Sequence, residues 1–190
     1  MTRHYKALGL WLAAVALVAI VAVLMRSNFK ITPALHIDYQ QEVTQYAQEY
    51  GLAPELVFAV IKTESNFDPD ARSHQDAYGL MQITESTLNW AMFREGENAD
   101  YSADDLYDPS INIKYGCLIL SLLMEEFQDT DTALAAYNAG RGNVLKWLKD
   151  SRYSDDGIHL KDTPYNETDE YIKKVNKFHL QYQKMLGENQ

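Results

Sequence analysis

The sequence predicts an all-α domain, mainly α-helical with at most a small β-hairpin, and an apolar helix in front of it. Apolar residues recur at helical spacing along most of the chain after residue 38, whereas the alternation typical of strands hardly appears. An uninterrupted apolar run, Leu8 to Met25, precedes this region. We therefore expect an N-terminal membrane anchor and a single core of about seven helices.

The apolar run predicts a transmembrane anchor helix, because roughly 18 apolar residues are enough to span a bilayer. A cleaved signal peptide shares the basic start and apolar centre, but its core is usually only ~7–15 residues long and ends before a pair of small residues. We favour a retained anchor at 1–26 and a tether at 27–37, followed by a globular domain at 38–190. The signal peptide remains the alternative.

Charge and cysteine content exclude several function classes. The chain has 17 basic and 27 acidic residues, and the first thirty positions hold four of the basic ones and no acidic one. The acidic remainder argues against a nucleic-acid partner. The single cysteine, Cys117, excludes an internal disulfide and a multi-cysteine metal site. No HExxH pair, G-x-S-x-G motif or phosphate-binding glycine loop is present, so we expect no metal and no cofactor.

Helix start and stop signals divide the domain. Gly51 ends a first helix, Pro54 suits the first turn of a second, and Thr84 can cap a third that runs through Trp90 and Phe93. The further predicted helices are one from Asp108 and Pro109 to Phe127, one capped by Asp131 that ends at Gly140, a short one from Gly142 to Leu148, and a final one from Glu167 to Leu186. Arg94 to Tyr107 and Ser151 to Thr163 are predicted surface segments, because they are polar.

Glu64 stands out within the second helix. The apolar stripe Val57, Val60 and Ile61 would continue at position 64, where a carboxyl group takes the place of a hydrophobic side chain. Desolvation disfavours the charged form, so the pKa of this group should rise toward the range of a general acid. Taken alone, an exposed or paired glutamate at a helix end is the more common situation.

Four short motifs lie at predicted helix ends: Glu64-Ser65-Asn66-Phe67, Gly79-Leu80-Met81-Gln82, Ala136-Tyr137-Asn138-Ala139-Gly140, and Pro164-Tyr165-Asn166-Glu167-Thr168 leading to Tyr171. In this order and at these intervals they resemble the catalytic domain of the lytic transglycosylases, lysozyme-like enzymes that cleave bacterial peptidoglycan. The resemblance covers about Asp38 to Tyr182. It implies a goose-lysozyme-like fold whose groove binds peptidoglycan glycan strands, and cleavage of the β-1,4 bond between N-acetylmuramic acid and N-acetylglucosamine.

The resemblance also implies roles for particular residues and a place for the protein. Glu64 would be the catalytic acid and then the base, giving 1,6-anhydro ends, with the Tyr137 hydroxyl directed at the reacting centre. Ser73, Met81, Gln82, Asn138, Glu167 and Tyr171 would bind substrate or form the groove. The domain would be held by the N-terminal helix on the extracytoplasmic side of the cell membrane, and cell-envelope machinery that the sequence does not identify is a possible partner.

Two alternatives stay open. A muramidase would hydrolyse the same bond through an activated water, and Asp76 is the carboxylate to consider for that role because Asp68 and Asp70 flank a turn proline. A binding module without catalysis would keep the groove alone. Taken singly, a tyrosine at the helical spacing of Tyr137 is more often a core residue than a catalytic one, and Met81 suits core packing as readily as a sugar contact.

Overall fold

The computed structural model describes residues 35–96 and 100–187. The elements in chain order are α1 (Gln40–Glu49), α2 (Pro54–Glu64), β1 (Ala77–Tyr78), β2 (Ile83–Thr84), α3 (Glu85–Glu95), a 3-10 helix (Ala103–Tyr107), α4 (Pro109–Phe127), α5 (Thr130–Ala139), α6 (Arg141–Trp147) and α7 (Asn166–Gly187). The mainly helical prediction with one small hairpin is confirmed. The predicted anchor lies outside the described residues, and none of the helices described here is long and apolar enough to cross a membrane.

Helix α4 forms the centre of the core. Its start follows from the sequence: the Asp108 carboxylate accepts hydrogen bonds from the backbone N–H groups of Ser110 and Ile111, and Pro109 occupies the first turn. More than half of its residues are buried, among them Tyr115 and Leu120. Helices α1, α3 and α5 pack against it. Its apolar surface therefore organises the elements that carry the site.

Helix α2 packs along α7 on one side of this core. The Phe58 and Tyr182 rings stack with their centroids 5.4 Å apart, and the Tyr182 hydroxyl donates to the His36 carbonyl over 2.7 Å. All six residues from Leu56 to Ile61 are buried, so α2 is apolar on every side over these turns. Its last residue, Glu64, is thereby held at the edge of the core.

Two local predictions were wrong. Asp129, and not Asp131, caps α5: its carboxylate accepts from the Thr132 N–H at 2.8 Å, whereas Asp131 is exposed in the first turn of the helix and accepts from Asn176. The segment 94–107 is not wholly a surface excursion, because it ends in the 3-10 helix, which buries Leu106 completely.

The hairpin has two residues per strand and is tied to α4 by a buried side chain. Asn112 of α4 is fully buried; its Oδ1 accepts from the Met81 N–H at 2.8 Å, and its Nδ2 donates to the carbonyls of Tyr78 and Leu106. Gly79 has a φ of +71°, and a Cβ there would lie 2.3 Å from Asn112 Nδ2 and from the Leu106 carbonyl oxygen. Only glycine adopts this positive φ readily and also lacks the Cβ for which the turn has no room.

Candidate active site

Glu64 ends α2 with its carboxyl group in a desolvated position. Part of the residue's surface still reaches solvent, as a group that meets a substrate must, but burial of the carboxyl raises its pKa to about 7. The Tyr171 hydroxyl opposes this shift and lowers the pKa of Glu64. Tyr171 Oη is buried and close to the Glu64 carboxyl group, and it has no other hydrogen-bond partner among the described residues.

The backbone turns sharply after Glu64. Asn66 and Phe67 both have positive φ, 55° and 68°, which is unusual for residues other than glycine. The buried Phe67 ring holds this turn, with its centroid 6.3 Å from that of Phe58 and 5.9 Å from that of His36. Ser65 Oγ donates to the Leu80 carbonyl at 2.8 Å. The end of α2 is therefore tied to the hairpin, and backbone strain is concentrated next to the acid.

Tyr137 lies on α5 and reaches the same region. Its hydroxyl donates to the Met81 carbonyl at 2.9 Å. Burial raises the pKa of Tyr137 well above its ordinary value, and the nearby Glu64 carboxylate raises it further. Because the hydroxyl hydrogen is committed to Met81, the lone pairs of Tyr137 Oη are the part of this group left to face a substrate.

Helices α5 and α7 are joined next to this tyrosine. Thr168 Oγ1 donates to Asn138 Oδ1 at 2.9 Å, and Thr168 is almost completely buried. Tyr171 follows one turn later on the same face of α7, so the hydrogen bond between the two helices sets the distance of Tyr171 from α5.

A cleft of about 900 Å³ opens in front of Glu64. Six of the eight predicted site residues line it: Glu64, Ser73, Gln82, Tyr137, Asn138 and Glu167. Ser73 shapes its loop by accepting from the N–H groups of Gln75 and Ala77, and Gln82 Nε2 donates to the carbonyls of Gly79 and Ala71. Sequence positions far apart in the chain are thus brought to one cavity.

The two remaining predicted residues are placed differently. Met81 was expected to line the groove, but its side chain is 0% exposed and packs where a Cβ on Gly116 would otherwise lie, so only its carbonyl serves the site. Tyr171 was expected in the groove wall and is instead buried behind Glu64. In both cases the apolar part of the side chain fills the core between helices.

Asp76 is directed away from the cleft. Its side chain is 66% exposed, and its carboxylate pairs with the Arg72 guanidinium, with Oδ1 and Nη2 2.6 Å apart. It is not among the residues that line the cleft in the part of the chain that the structure describes.

Sequence reasoning overlooked two residues. Asn112 positions the hairpin, and a polar residue within the apolar pattern of α4 was the signal that could have identified it. Trp90 lines the cleft from α3, whereas the sequence indicated only its helical spacing.

Comparison with known proteins identifies the family of the chain. The family "Transglycosylase SLT domain" matches residues 41–159, which is more than half of the chain. The chain therefore belongs to the SLT transglycosylase family. Membrane-bound lytic murein transglycosylase C of Actinobacillus pleuropneumoniae is 32% identical over 165 residues, which cover 76% of this chain and 45% of that protein. The protein of the same name from Shigella sonnei is 35% identical over 117 residues, 57% of this chain and 33% of its own length.

Solved structures show the same fold. An inactive variant of the lytic transglycosylase Slt from Pseudomonas aeruginosa matches with a TM-score of 0.69 and 31% identity, over 80% of this chain and 25% of the other. The 70-kDa soluble lytic transglycosylase of Escherichia coli matches with a TM-score of 0.71 and 28% identity, with the same coverage. That soluble enzyme has also been solved in complex with bulgecin A. The chain spans less than half the length of the curated relatives and a quarter of these structures.

Proposed function

We propose that this chain is a membrane-anchored peptidoglycan lytic transglycosylase that cleaves the β-1,4 bond between N-acetylmuramic acid and N-acetylglucosamine without consuming water. The observation that carries the proposal is the single desolvated carboxyl group in the cleft, Glu64, whose pKa of about 7 suits it to give up a proton and take one back at neutral pH. Family membership and the names of the relatives support the same activity.

The proposed reaction uses Glu64 twice. Protonated Glu64 donates its proton to the glycosidic oxygen as the bond from that oxygen to C1 of the muramic acid breaks. The C6 hydroxyl oxygen of the same muramic acid then bonds to C1, and its proton passes to the Glu64 carboxylate. The products are a free 4-hydroxyl group and a 1,6-anhydro ring, and Glu64 ends as it began, in the protonated form.

Tyr137 would stabilise the positive charge that develops at C1. Its Oη donates its hydrogen to the Met81 carbonyl, so its negative end is oriented before the reaction starts. A dipole fixed in a site of low dielectric stabilises developing charge without reorganisation at the moment of reaction. Ser73, Gln82, Asn138 and Glu167 line the same cleft and are the proposed substrate contacts.

The placement of the other carboxylates favours this reaction over hydrolysis. A retaining hydrolase needs a second carboxylate about 5 Å from the acid, and an inverting one needs a carboxylate that activates water. Among the described residues, the carboxylates lining the cleft are Glu64 and Glu167, and Glu167 is exposed at the start of α7. Asp76 is paired with Arg72 on the surface.

We further propose the division of the chain expected from its sequence: an anchor at 1–26, a tether at 27–37 and the catalytic domain at 38–190. The apolar run at 8–25 and the words "membrane-bound" in the relatives' names support a single-pass anchor. The substrate lies outside the cytoplasmic membrane, so the catalytic domain would face that side.

The deciding experiment is the mass of the released glycan. Detergent-solubilised full-length protein is incubated with purified peptidoglycan, and the fragments should carry anhydro ends, which are lighter by one water than reducing ends. Glu64→Gln should lower kcat by roughly a thousandfold. Glu49→Gln is the matched control, because Glu49 is an exposed glutamate that ends α1 as Glu64 ends α2.

Reducing ends in the product would instead establish a muramidase. Equal turnover by Glu64→Gln and the parent protein would refute the acid assignment, and no release by either protein would favour a binding module.

A further inference from the structure

Helix α3 presents a continuous surface to the cleft that the proposed chemistry does not use. Thr84 caps the helix, and Thr84, Ser86, Thr87 and Trp90 all line the cavity. Positions 86 and 87 lie four and three residues before Trp90 and so border its face of the helix. This face therefore consists of hydroxyl groups at the hairpin end and an indole ring one turn farther along.

The indole ring of Trp90 is held in place from one side. The Arg94 guanidinium carbon lies over the ring, 6.0 Å from its centroid, which is within the range of a cation–π contact. Trp90 is only partly buried, and the cleft borders it. Trp90 therefore contributes to the cleft wall while Arg94 lies over its ring.

We propose that Trp90 forms a distal sugar-binding subsite, in which the indole ring stacks on the apolar face of a pyranose ring of the glycan strand while the α3 hydroxyls bind its polar rim. The proposal rests on the proposed function and deepens it. An indole ring supplies a large, rigid apolar surface at low entropic cost, and a pyranose ring offers axial C–H groups to such a surface.

The proposed subsite lies on a different helix from the reacting residues. The groups that contact or perturb Glu64 and Tyr137 come from α2, α4, α5, α7 and the hairpin, and Trp90 is not among them. At 1.5 Å per residue, Trp90 lies about 9 Å along α3 from Thr84. In this proposal the sugar ring bound at Trp90 is not the ring whose bond is cut, and binding energy that is realised equally in the ground state and the transition state changes KM without changing kcat.

The test measures binding without turnover. In the full-length Glu64→Gln background, the affinity for a chitin hexasaccharide is measured by calorimetry for Trp90→Ala, Trp90→Phe and Phe93→Ala. Trp90→Ala should bind roughly tenfold more weakly, and Trp90→Phe, which keeps an aromatic face, should stay close to the parent. Phe93 is the matched control, since it is an aromatic residue on the same helix, 83% exposed and outside the cleft lining.

Equal hexasaccharide affinity for the parent and Trp90→Ala would overturn the subsite, as would an equally large loss in Trp90→Phe. In the active chain, Trp90→Ala should raise KM for glycan strands and leave kcat unchanged; a fall in kcat at constant KM would also refute it. Binding in the inactive background does not depend on which product forms, so failure of the subsite and failure of the proposed reaction are told apart.

Discussion

The two walls of the cleft are built in different ways. The helical wall (α2, α5 and α7) contributes Glu64 and Tyr137 from the ends of buried helices, and burial shifts the pKa of both groups. The hairpin wall (residues 73–84 and α3) contributes hydroxyl, amide and backbone groups, and a glycine turn and one buried asparagine hold it. Burial in the helical wall raises the pKa of its functional groups. Hydrogen bonds in the hairpin wall fix the positions of its functional groups.

This difference shows how the fold meets two requirements, a desolvated proton donor and solvent-accessible groups that bind sugars. A proton donor near neutral pH must be desolvated, which requires apolar neighbours and costs stability. Groups that bind sugars must keep their hydrogen-bonding capacity, which requires solvent access. One cavity meets both requirements: the helical wall supplies the desolvated groups Glu64 and Tyr137, and solvent-accessible groups of both walls are available to bind sugars.

The largest expected effect is a loss of stability when the hairpin wall loses the Asn112 side chain. Asn112→Ala removes three hydrogen bonds and leaves the Met81 N–H and the carbonyls of Tyr78 and Leu106 without their partner. We expect the free energy of unfolding to fall by about 4 kcal/mol, measured by urea denaturation. Asn89→Ala, at an exposed position of α3, should change it very little. A similar small change in both variants would show that the hairpin does not depend on α4.

The next effect tests how much stability the protein loses by burying the Glu64 carboxyl group in the helical wall. Glu64 has a pKa of about 7 in the folded protein, against 4.5 for an ordinary glutamate. Between these pH values the folded protein keeps a proton that the unfolded chain has lost, so stability falls as pH rises through this window. Above about pH 8, Glu64→Gln should therefore be more stable than the parent by up to roughly 3 kcal/mol.

Near pH 4 the two proteins should unfold alike, because Glu64 is then largely protonated in both states. Thermal unfolding across this pH range measures the difference, with Glu49→Gln as the control. A constant difference at all pH values would mean that the Glu64 carboxyl is not desolvated.

A smaller effect is expected at Tyr137. Tyr137→Phe keeps the ring and removes the oriented oxygen, so kcat should fall by about thirtyfold, or roughly 2 kcal/mol of barrier, while KM changes little. Initial rates on purified glycan strands measure both constants. A rise in KM at constant kcat would assign Tyr137 to substrate binding instead.

The smallest effect is a displacement of the pH profile. In the free enzyme, kcat/KM should decline as pH rises through about 7, because the general acid loses its proton. Tyr171 lowers the pKa of Glu64, so Tyr171→Phe should move this decline to higher pH and barely change the maximum. A shift to lower pH would contradict the contact between the two residues.

Much of the fold could be predicted from the sequence, because its helices have strong periodicity and clear end signals. Pro54, Thr84 and the Asp108-Pro109 pair each begin helices where expected. Asp129 and Asp131 are both suitable caps, and local sequence does not decide between them; the structure places Asp129 at the helix start.

The site was harder to predict from the sequence than the fold. The family resemblance correctly assigned six residues to the cleft, but a motif does not tell which part of a residue faces the cleft. Met81 supplies a carbonyl because Gly116 leaves room for its side chain in the core. Tyr171 lies behind the acid because α7 packs on α2. Both placements depend on contacts between helices distant in sequence.

The dependence of the hairpin on Asn112 has a consequence for hydrogen exchange. Strands of two residues have too few ladder bonds to persist alone. The Met81 amide hydrogen is donated to a buried side chain of the central helix, so it exchanges with solvent only when the hairpin leaves that helix or the helix itself opens. Though it lies in a short turn, Met81 should exchange far more slowly than an exposed turn amide, and this part of the substrate cleft should retain its shape for as long as the hairpin stays docked on α4.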